Sequence, residues 1–171
     1  IGGMAFDPES GKFVVGGGAA NGQIAEIDAD AQTVTTNTVT GLPAGNTYVQ
    51  AIEYDQNQPS GQPHMVISFG PDNTNGNQRL ARVNPATGVV LPGDFTGFIL
   101  FDGDGMAYSK ATSEFIIADT NNVPFIAIDS VGVFTGGPPS PVTWAPAPNN
   151  AEYWEPACDD TGKMYFSKRD T

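Results

Sequence analysis

Short apolar segments separated by polar turns recur along the chain in a fixed order. A small residue and an aromatic residue come first, as at Ala5 and Phe6, and a turn rich in Asp, Pro, Ser and Gly follows. A β-rich run comes next, then an apolar segment that ends on Asp or Asn, then a weaker segment. The alternation of apolar and polar positions has the period of two that half-buried strands show. Each unit is therefore predicted to form four short antiparallel strands.

The unit recurs almost four times. Its marker is a central alanine, which we place at Ala5, Ala51, Ala107 and Ala157. Units of roughly 40 to 50 residues with four strands are typical of propeller blades. The pattern predicts an all-β protein, a single β-propeller segment over residues 1–171 with about three and a half blades. A β-sandwich is the alternative, because its strands and turns are also short and regular.

The blades are predicted at residues 1–44, 45–98, 99–136 and 151–171, the last being incomplete, with a Pro-rich connection at 137–150. Proline cannot donate to a sheet ladder, so this connection is not a central strand. An incomplete blade leaves a strand edge open to pairing. We therefore expect a protein partner, or further copies or blades, to complete that edge.

Charge and composition limit the binding partners and the cellular locations that we expect for this protein. Seven Lys and Arg against 19 Asp and Glu give a net charge of −12, which disfavours nucleic acid and anionic lipid as partners. No apolar run approaches the roughly 20 residues that a membrane helix needs, so membrane insertion is not expected. The background is rich in Asn, Gln, Thr and Gly and poor in Lys, which favours an extracellular or cell-surface location.

A pair of carboxylates beside glycines is the motif closest to a metal site. Asp102 and Asp104 stand on alternate residues and could approach a hard cation such as Ca²⁺, although a simple turn also explains them. The residues that end the third segment of three units are interpreted instead as turn-formers, since a catalytic residue is needed only once. These residues are Asp28, Asn84 and Asp129.

The other reactive side chains point to structural roles. His64 is the sole histidine, so it cannot build a multi-histidine metal site, and no nucleophile motif accompanies it. Cys158 is the sole cysteine, and the neighbouring Asp159 and Asp160 would raise its pKa. We expect a buried structural thiol. The aromatic residues Trp144, Tyr153 and Trp154 either anchor the Pro-rich connection or stack on a carbohydrate.

The units resemble the blades of NHL, YVTN-type and SMP-30/gluconolactonase-like propellers. The resemblance lies in the Gly-to-Asp segments Gly3–Asp7 and Gly105–Tyr108 and in the strands that follow them. In the gluconolactonase-like branch, acidic and amide side chains hold a divalent cation in the central channel. The stretch from Trp154 to Ala157 resembles the acidic start of a metal-site blade, which implies Glu155 as a further metal ligand.

Three functions follow from these observations. The leading hypothesis is a non-catalytic extracellular propeller that acts as a binding or assembly module, because the sequence contains no converging nucleophile and base. The first alternative is a calcium-dependent lactonase-type hydrolase that uses Asp102, Asp104 and Glu155. The second alternative is a carbohydrate-binding module that uses Trp144, Tyr153 and Trp154.

Overall fold

The computed structural model describes residues 3–16, 22–45, 48–57, 64–70, 79–91, 103–119, 125–129, 134–136 and 152–169, and all the regular structure within them is β-strand. The strands in chain order are β1 (Met4–Asp7), β2 (Lys12–Gly16), β3 (Gln23–Asp28), β4 (Thr33–Thr38), β5 (Tyr48–Tyr54), β6 (Met65–Gly70), β7 (Arg79–Val83), β8 (Gly103–Ser109), β9 (Glu114–Asp119), β10 (Phe125–Asp129), β11 (Phe134–Gly136), β12 (Glu152–Cys158) and β13 (Met164–Arg169). The all-β prediction is confirmed.

The strands form four separate antiparallel sheets, each built from consecutive strands. Sheet 1 contains β1 to β4, sheet 2 contains β5 to β7, sheet 3 contains β8 to β11, and sheet 4 contains β12 and β13. The first strands of successive sheets pack against one another in the order β1, β5, β8, β12. We call these four strands the innermost strands. A β-sandwich packs two sheets, so the four successive sheets do not fit that alternative.

The predicted weak fourth segment of the second unit is present as a short ladder. The backbone N–H of Asn84 donates to the carbonyl of Val89 at 3.0 Å, and that of Leu91 donates to the carbonyl of Arg82 at 3.0 Å. Thr40 also exchanges backbone hydrogen bonds with this segment, donating to Gly88 and accepting from Val90. The ladder therefore connects sheet 2 to sheet 1.

Each sheet has a forward face toward the following sheet and a rear face toward the preceding one. The forward face of sheet 1 packs on the rear face of sheet 2, and the forward face of sheet 2 packs on the rear face of sheet 3. The first interface contains Ala5, Val14, Ile24, Ile52, Tyr54, Met65 and Ile67. The second contains Ala51, Val66, Leu80, Met106, Tyr108, Phe115, Ile117 and Ile128. Because side chains alternate between faces, every strand of sheet 2 contributes to both interfaces.

The predicted turn-formers behave as expected where the structure describes their bonds. Asp28 Oδ1 accepts from the backbone N–H of Ala31 at 2.8 Å, and Asn84 Oδ1 accepts from that of Ala86 at 3.0 Å. Asp129 ends β10, as predicted. The same device occurs at Asp7, whose Oδ1 accepts from the backbone N–H of Glu9 at 2.9 Å. Polar residues that end strands thus close their own turns.

The turns between the first and second strands need a left-handed residue. Gly11 and Gly162 hold that position with φ of 71° and 81°. In sheet 3 the position is held by Ser113, with φ of 60°. Because a non-glycine residue is strained in this conformation, the third turn is the least relaxed of the three.

Candidate functional site

Three of the innermost strands contain a break in register at a similar distance from the turn that follows the strand. In β5, Gln50 and Ala51 together stand opposite one residue of β6. In β8, Asp104 is an extra residue between two residues paired with β9. In β12, Glu155 and Pro156 stand opposite one residue of β13. Such β-bulges redirect side chains and are common beside active sites.

The β5 bulge is held by hydrogen bonds from both sides. The backbone N–H of Ala51 donates to Ser68 Oγ at 2.9 Å, and the carbonyl of Gln50 accepts from the backbone N–H of Gly3 at 2.7 Å. Ser68 is fully buried, and Gln50 is almost so. A Cβ on Gly3 would lie 2.9 Å from the backbone nitrogen of Ile52. Only glycine therefore lets β1 come this close to the bulge.

The fold brings two of the three predicted metal-binding residues to adjacent strands. Asp104 lies in the bulge of β8 and Glu155 in the bulge of β12, and these two strands pack directly against each other. Asp102 lies outside the described residues. Gln50, in the third bulge, escaped the sequence reasoning, because no residue pattern in the β5 segment marks a break in register.

The donor set of the three bulges consists of oxygen ligands. Two carboxylates and an amide suit a hard divalent cation such as Ca²⁺. Among the side chains that the structure describes, no group of three His, Cys, Asp or Glu is arranged to bind a metal ion. Asp104 and Glu155 belong to the candidate site through the positions of their backbones in the two bulges.

The central alanine of the second unit was wrongly assigned. Counting back from the residue that opens the first turn of each unit, the equivalents are Ala5, Glu53, Ala107 and Ala157. Ala51 lies two residues before Glu53, in the bulge. The second innermost strand therefore carries a carboxyl group where its three counterparts have a methyl group.

Glu53 is the described carboxyl group best suited to proton transfer. Burial raises its pKa from 4.5 to about 7, although the backbone N–H of Tyr54, which donates to Glu53 Oε1 at 2.7 Å, acts in the opposite direction. A group with a pKa near the working pH is efficient as a general acid or base. Carboxyl groups with such perturbed pKa values cluster at functional sites.

Cys158, at the end of β12, lies within electrostatic range of Glu53. Burial, followed by the charges of Glu53 and Asp159, raises the pKa of the thiol to about 11. Of the two neighbours predicted to raise this pKa, Asp159 contributes, with burial as the larger cause, although the thiol is half-buried rather than buried as expected. A neutral thiol is a poor nucleophile, so Cys158 is not a catalytic candidate.

A second polar cluster is buried at one end of sheet 2. Arg82 Nη2 lies 2.6 Å from Asp55 Oδ2, and both residues are nearly inaccessible to solvent. His64 stacks on Tyr54, and its Nδ1 lies 2.7 Å from the carbonyl oxygen of Asp55. Its Nε2 lies 3.4 Å from a carboxylate oxygen of Glu9, in the first turn of sheet 1. The contact with Glu9 connects sheet 2 to sheet 1, which agrees with the structural role expected of His64.

The predicted aromatic site is only partly described. Tyr153 and Trp154 lie in β12, where their backbones pair with Lys168 and Ser167 of β13. Trp144 and the Pro-rich connection at 137–150 lie outside the described residues. The carbohydrate-binding role stays a prediction.

No described helix has the length and apolar character needed to span a bilayer.

Successive antiparallel sheets of two to four strands, each a meander of consecutive strands, with their first strands packed against one another, define a propeller-like protein. Among solved structures, the chain is similar to a gluconolactonase from Xanthomonas campestris, with a TM-score of 0.60 and 14% sequence identity. The similarity covers 96% of this chain and 54% of the gluconolactonase, so the chain spans about half the length of that protein. At this identity the likeness shows the fold alone. No protein-family model matches the chain, and no curated protein matches it.

Proposed function

We propose that the protein hydrolyses a sugar lactone with the help of a divalent cation held at the bulges of its innermost strands. The observation that carries this proposal is the placement of Asp104 and Glu155 in the bulges of two strands that pack against each other. Bulges on adjacent innermost strands are a means of directing carboxylates toward a shared point.

Cation binding and proton transfer would be carried out by different residues of the chain. Asp104 and Glu155 would supply carboxylate oxygens to the cation, and Gln50 lies in the third bulge as a source of an amide oxygen. A bound divalent cation polarises an ester carbonyl and lowers the pKa of water. Glu53 holds its proton up to about pH 7 and can accept one above that pH, which suits it to proton transfer near neutrality.

The likeness to a solved gluconolactonase supports the lactonase over the non-catalytic binding module. A lactone ring is an internal ester, so its hydrolysis needs a polarised carbonyl, an activated water and a group that transfers protons. The candidate site offers ligands for the first two tasks and Glu53 for the third. It contains no covalent nucleophile among the described residues, which favours direct attack by water.

The test is hydrolysis of D-glucono-δ-lactone, followed with a pH indicator and corrected for the spontaneous rate. We expect activity that a chelator removes and Ca²⁺ or another divalent cation restores. Asp104→Asn and Glu155→Gln should each lower the rate at least tenfold. Asp30→Asn, on an exposed turn, is the matched control and should leave the rate unchanged.

Cation binding is measured separately, by thermal unfolding with the metal alone. A cation at one hundred times its dissociation constant stabilises the folded protein by about 2.7 kcal/mol, and Glu155→Gln should remove most of that gain. Hydrolysis no faster than the spontaneous rate, with every cation tested, would contradict the proposed activity. A cation response unchanged in Asp104→Asn and Glu155→Gln would contradict the proposed site.

A further inference from the structure

His64 is a buried histidine with one unpartnered ring nitrogen. Its side chain is 6% exposed, and its Nδ1 lies 2.7 Å from the carbonyl oxygen of Asp55. Because a carbonyl oxygen only accepts hydrogen bonds, Nδ1 carries the hydrogen, and Nε2 of the neutral ring holds a lone pair. Nε2 is buried, yet it makes no hydrogen bond with any residue that the structure describes. A buried polar atom in this situation calls for a partner, and an ion is one such partner.

The contacts of the imidazole ring hold it in the form that metal ligands adopt. Metal-binding histidines commonly donate the hydrogen of their second ring nitrogen to a carboxylate or a backbone carbonyl, which fixes the tautomer and the orientation of the ring. The carbonyl of Asp55 is that acceptor here, and the backbone N–H of Asp55 donates in return to the carbonyl of His64 at 2.8 Å. Tyr54 stacks on the ring, with centroids 4.9 Å apart and an angle of 6° between the planes.

Glu9 places a carboxylate oxygen at the distance expected of a second ligand. Its Oε1 lies 3.4 Å from His64 Nε2. A charge-assisted hydrogen bond between these atoms would be shorter, at about 2.7–2.9 Å. Two ligands of one tetrahedral Zn²⁺ ion, each bound at about 2.0–2.1 Å, lie roughly 3.3 Å apart. The separation therefore suits a shared metal ion better than a shared proton.

The carboxylates at this end of the interface between sheets 1 and 2 favour a cation. Burial, followed by the charges of Glu9, Asp7 and Asp55, raises the pKa of the Tyr54 phenol to about 12. The charge of Asp55 is compensated by Arg82, whose Nη2 lies 2.6 Å from Asp55 Oδ2. Asp7 Oδ1 accepts from the backbone N–H of Glu9 at 2.9 Å and so orders the turn that carries Glu9. A cation at Nε2 would face the charges of Glu9 and Asp7.

We propose that His64 Nε2 and the Glu9 carboxylate bind a Zn²⁺ ion that joins the first turn of sheet 1 to sheet 2. An imidazole nitrogen and a carboxylate oxygen are both common ligands of Zn²⁺. Two protein ligands leave the remaining positions to water, so the affinity is lower than that of a closed four-ligand site. Ca²⁺ is bound by oxygen ligands, so this site selects Zn²⁺ over Ca²⁺. It shares no residue with the three bulges and does not depend on the proposed lactonase activity.

The test is NMR of the intact chain without a histidine tag, with ¹⁵N in the histidine ring, at pH 7.5. His64 is the sole histidine, so both ring signals belong to it. We expect hydrogen on Nδ1 alone in the metal-free protein. Zn²⁺ alone should shift the Nε2 signal while Nδ1 keeps its hydrogen, and Ca²⁺ at the same concentration should leave both signals unchanged.

Variants of the two ligands test the site further. Glu9→Gln should weaken Zn²⁺ binding at least tenfold, as read from the Nε2 signal, and should stay folded because the Glu9 side chain is 46% exposed. Asp30→Asn, on an exposed turn, is the control and should bind Zn²⁺ like the wild type. His64→Asn should lose the stabilisation that Zn²⁺ gives to the wild type in thermal unfolding. If circular dichroism shows that His64→Asn is unfolded, Glu9→Gln decides the test.

Four results would overturn the proposal. They are ring signals that do not respond to Zn²⁺, coordination through Nδ1, an Nε2 that keeps a proton in saturating Zn²⁺, and a Zn²⁺ affinity that is unchanged in Glu9→Gln. Asp104→Asn should leave the response of the His64 signals to Zn²⁺ unchanged. The zinc site and the cation site at the bulges are thereby tested separately, and either can fail without the other.

Discussion

Replacing Glu53 with glutamine should remove one component of the pH dependence of stability. Burial raises the pKa of Glu53 from 4.5 to about 7 in the folded chain. Below pH 4.5 the carboxyl group is protonated in both states. As the pH rises through this range, the unfolded chain releases the proton while the folded chain retains it until about pH 7. The contribution of Glu53 to the free energy of unfolding therefore falls with rising pH and levels off above pH 7.

The size of this component follows from the separation of the two pKa values. A rise of roughly 2.5 in the pKa of Glu53 corresponds to about 3 kcal/mol of unfolding free energy. Glutamine has nearly the same shape, stays neutral, and keeps an oxygen that can accept the hydrogen bond from Tyr54. The variant should match the wild type at pH 4 and exceed it by about 3 kcal/mol at pH 8.5.

The assay is chemical denaturation of both proteins at pH 4, 5.5, 7 and 8.5, with the difference in unfolding free energy as the readout. Other titrating groups contribute equally to both proteins and cancel in the difference. Asp30→Asn, which neutralises an exposed carboxylate, is the control and should show a difference close to zero throughout. A Glu53→Gln difference that does not change with pH would refute the reasoning, because it would mean that Glu53 is not desolvated by folding.

Three further predictions concern close packing and buried charges. Gly3→Ala should destabilise the fold by about 1–3 kcal/mol in thermal unfolding, because its Cβ meets the backbone of Ile52; a wild-type melting temperature would show that β1 can move away. Arg82→Met should cost about 3–5 kcal/mol by denaturant titration, because it removes the ion pair of a fully buried carboxylate, and adding Asp55→Asn should recover part of the loss. Cys158 should react slowly with iodoacetamide at pH 8, and Glu53→Gln should speed the reaction by lowering the thiol pKa, as measured by mass spectrometry; equal rates would contradict the electrostatic interaction between Glu53 and Cys158.

The candidate site was only partly accessible from the sequence. Asp104 and Glu155 are predicted from the sequence as cation ligands, but their placement in bulges of adjacent strands depends on how β8 and β12 pair with β9 and β13. Glu53 was missed because the marker alanine was placed at Ala51. A bulge adds a residue without changing the apolar pattern, so sequence spacing cannot locate it.

The sequence by itself determined the local order of the molecule: the strands, their alternation, and the turns closed by Asp28 and Asn84. These features depend on neighbours in the chain, because side-chain period and turn hydrogen bonds act over a few residues. The tertiary structure decided which faces are covered, where the bulges occur and which carboxyl group is desolvated. Those properties depend on packing between sheets. Glu53 acquires a pKa of about 7 because of its buried surroundings, and Phe6 is 48% exposed although its counterpart Tyr54 in sheet 2 is 7% exposed.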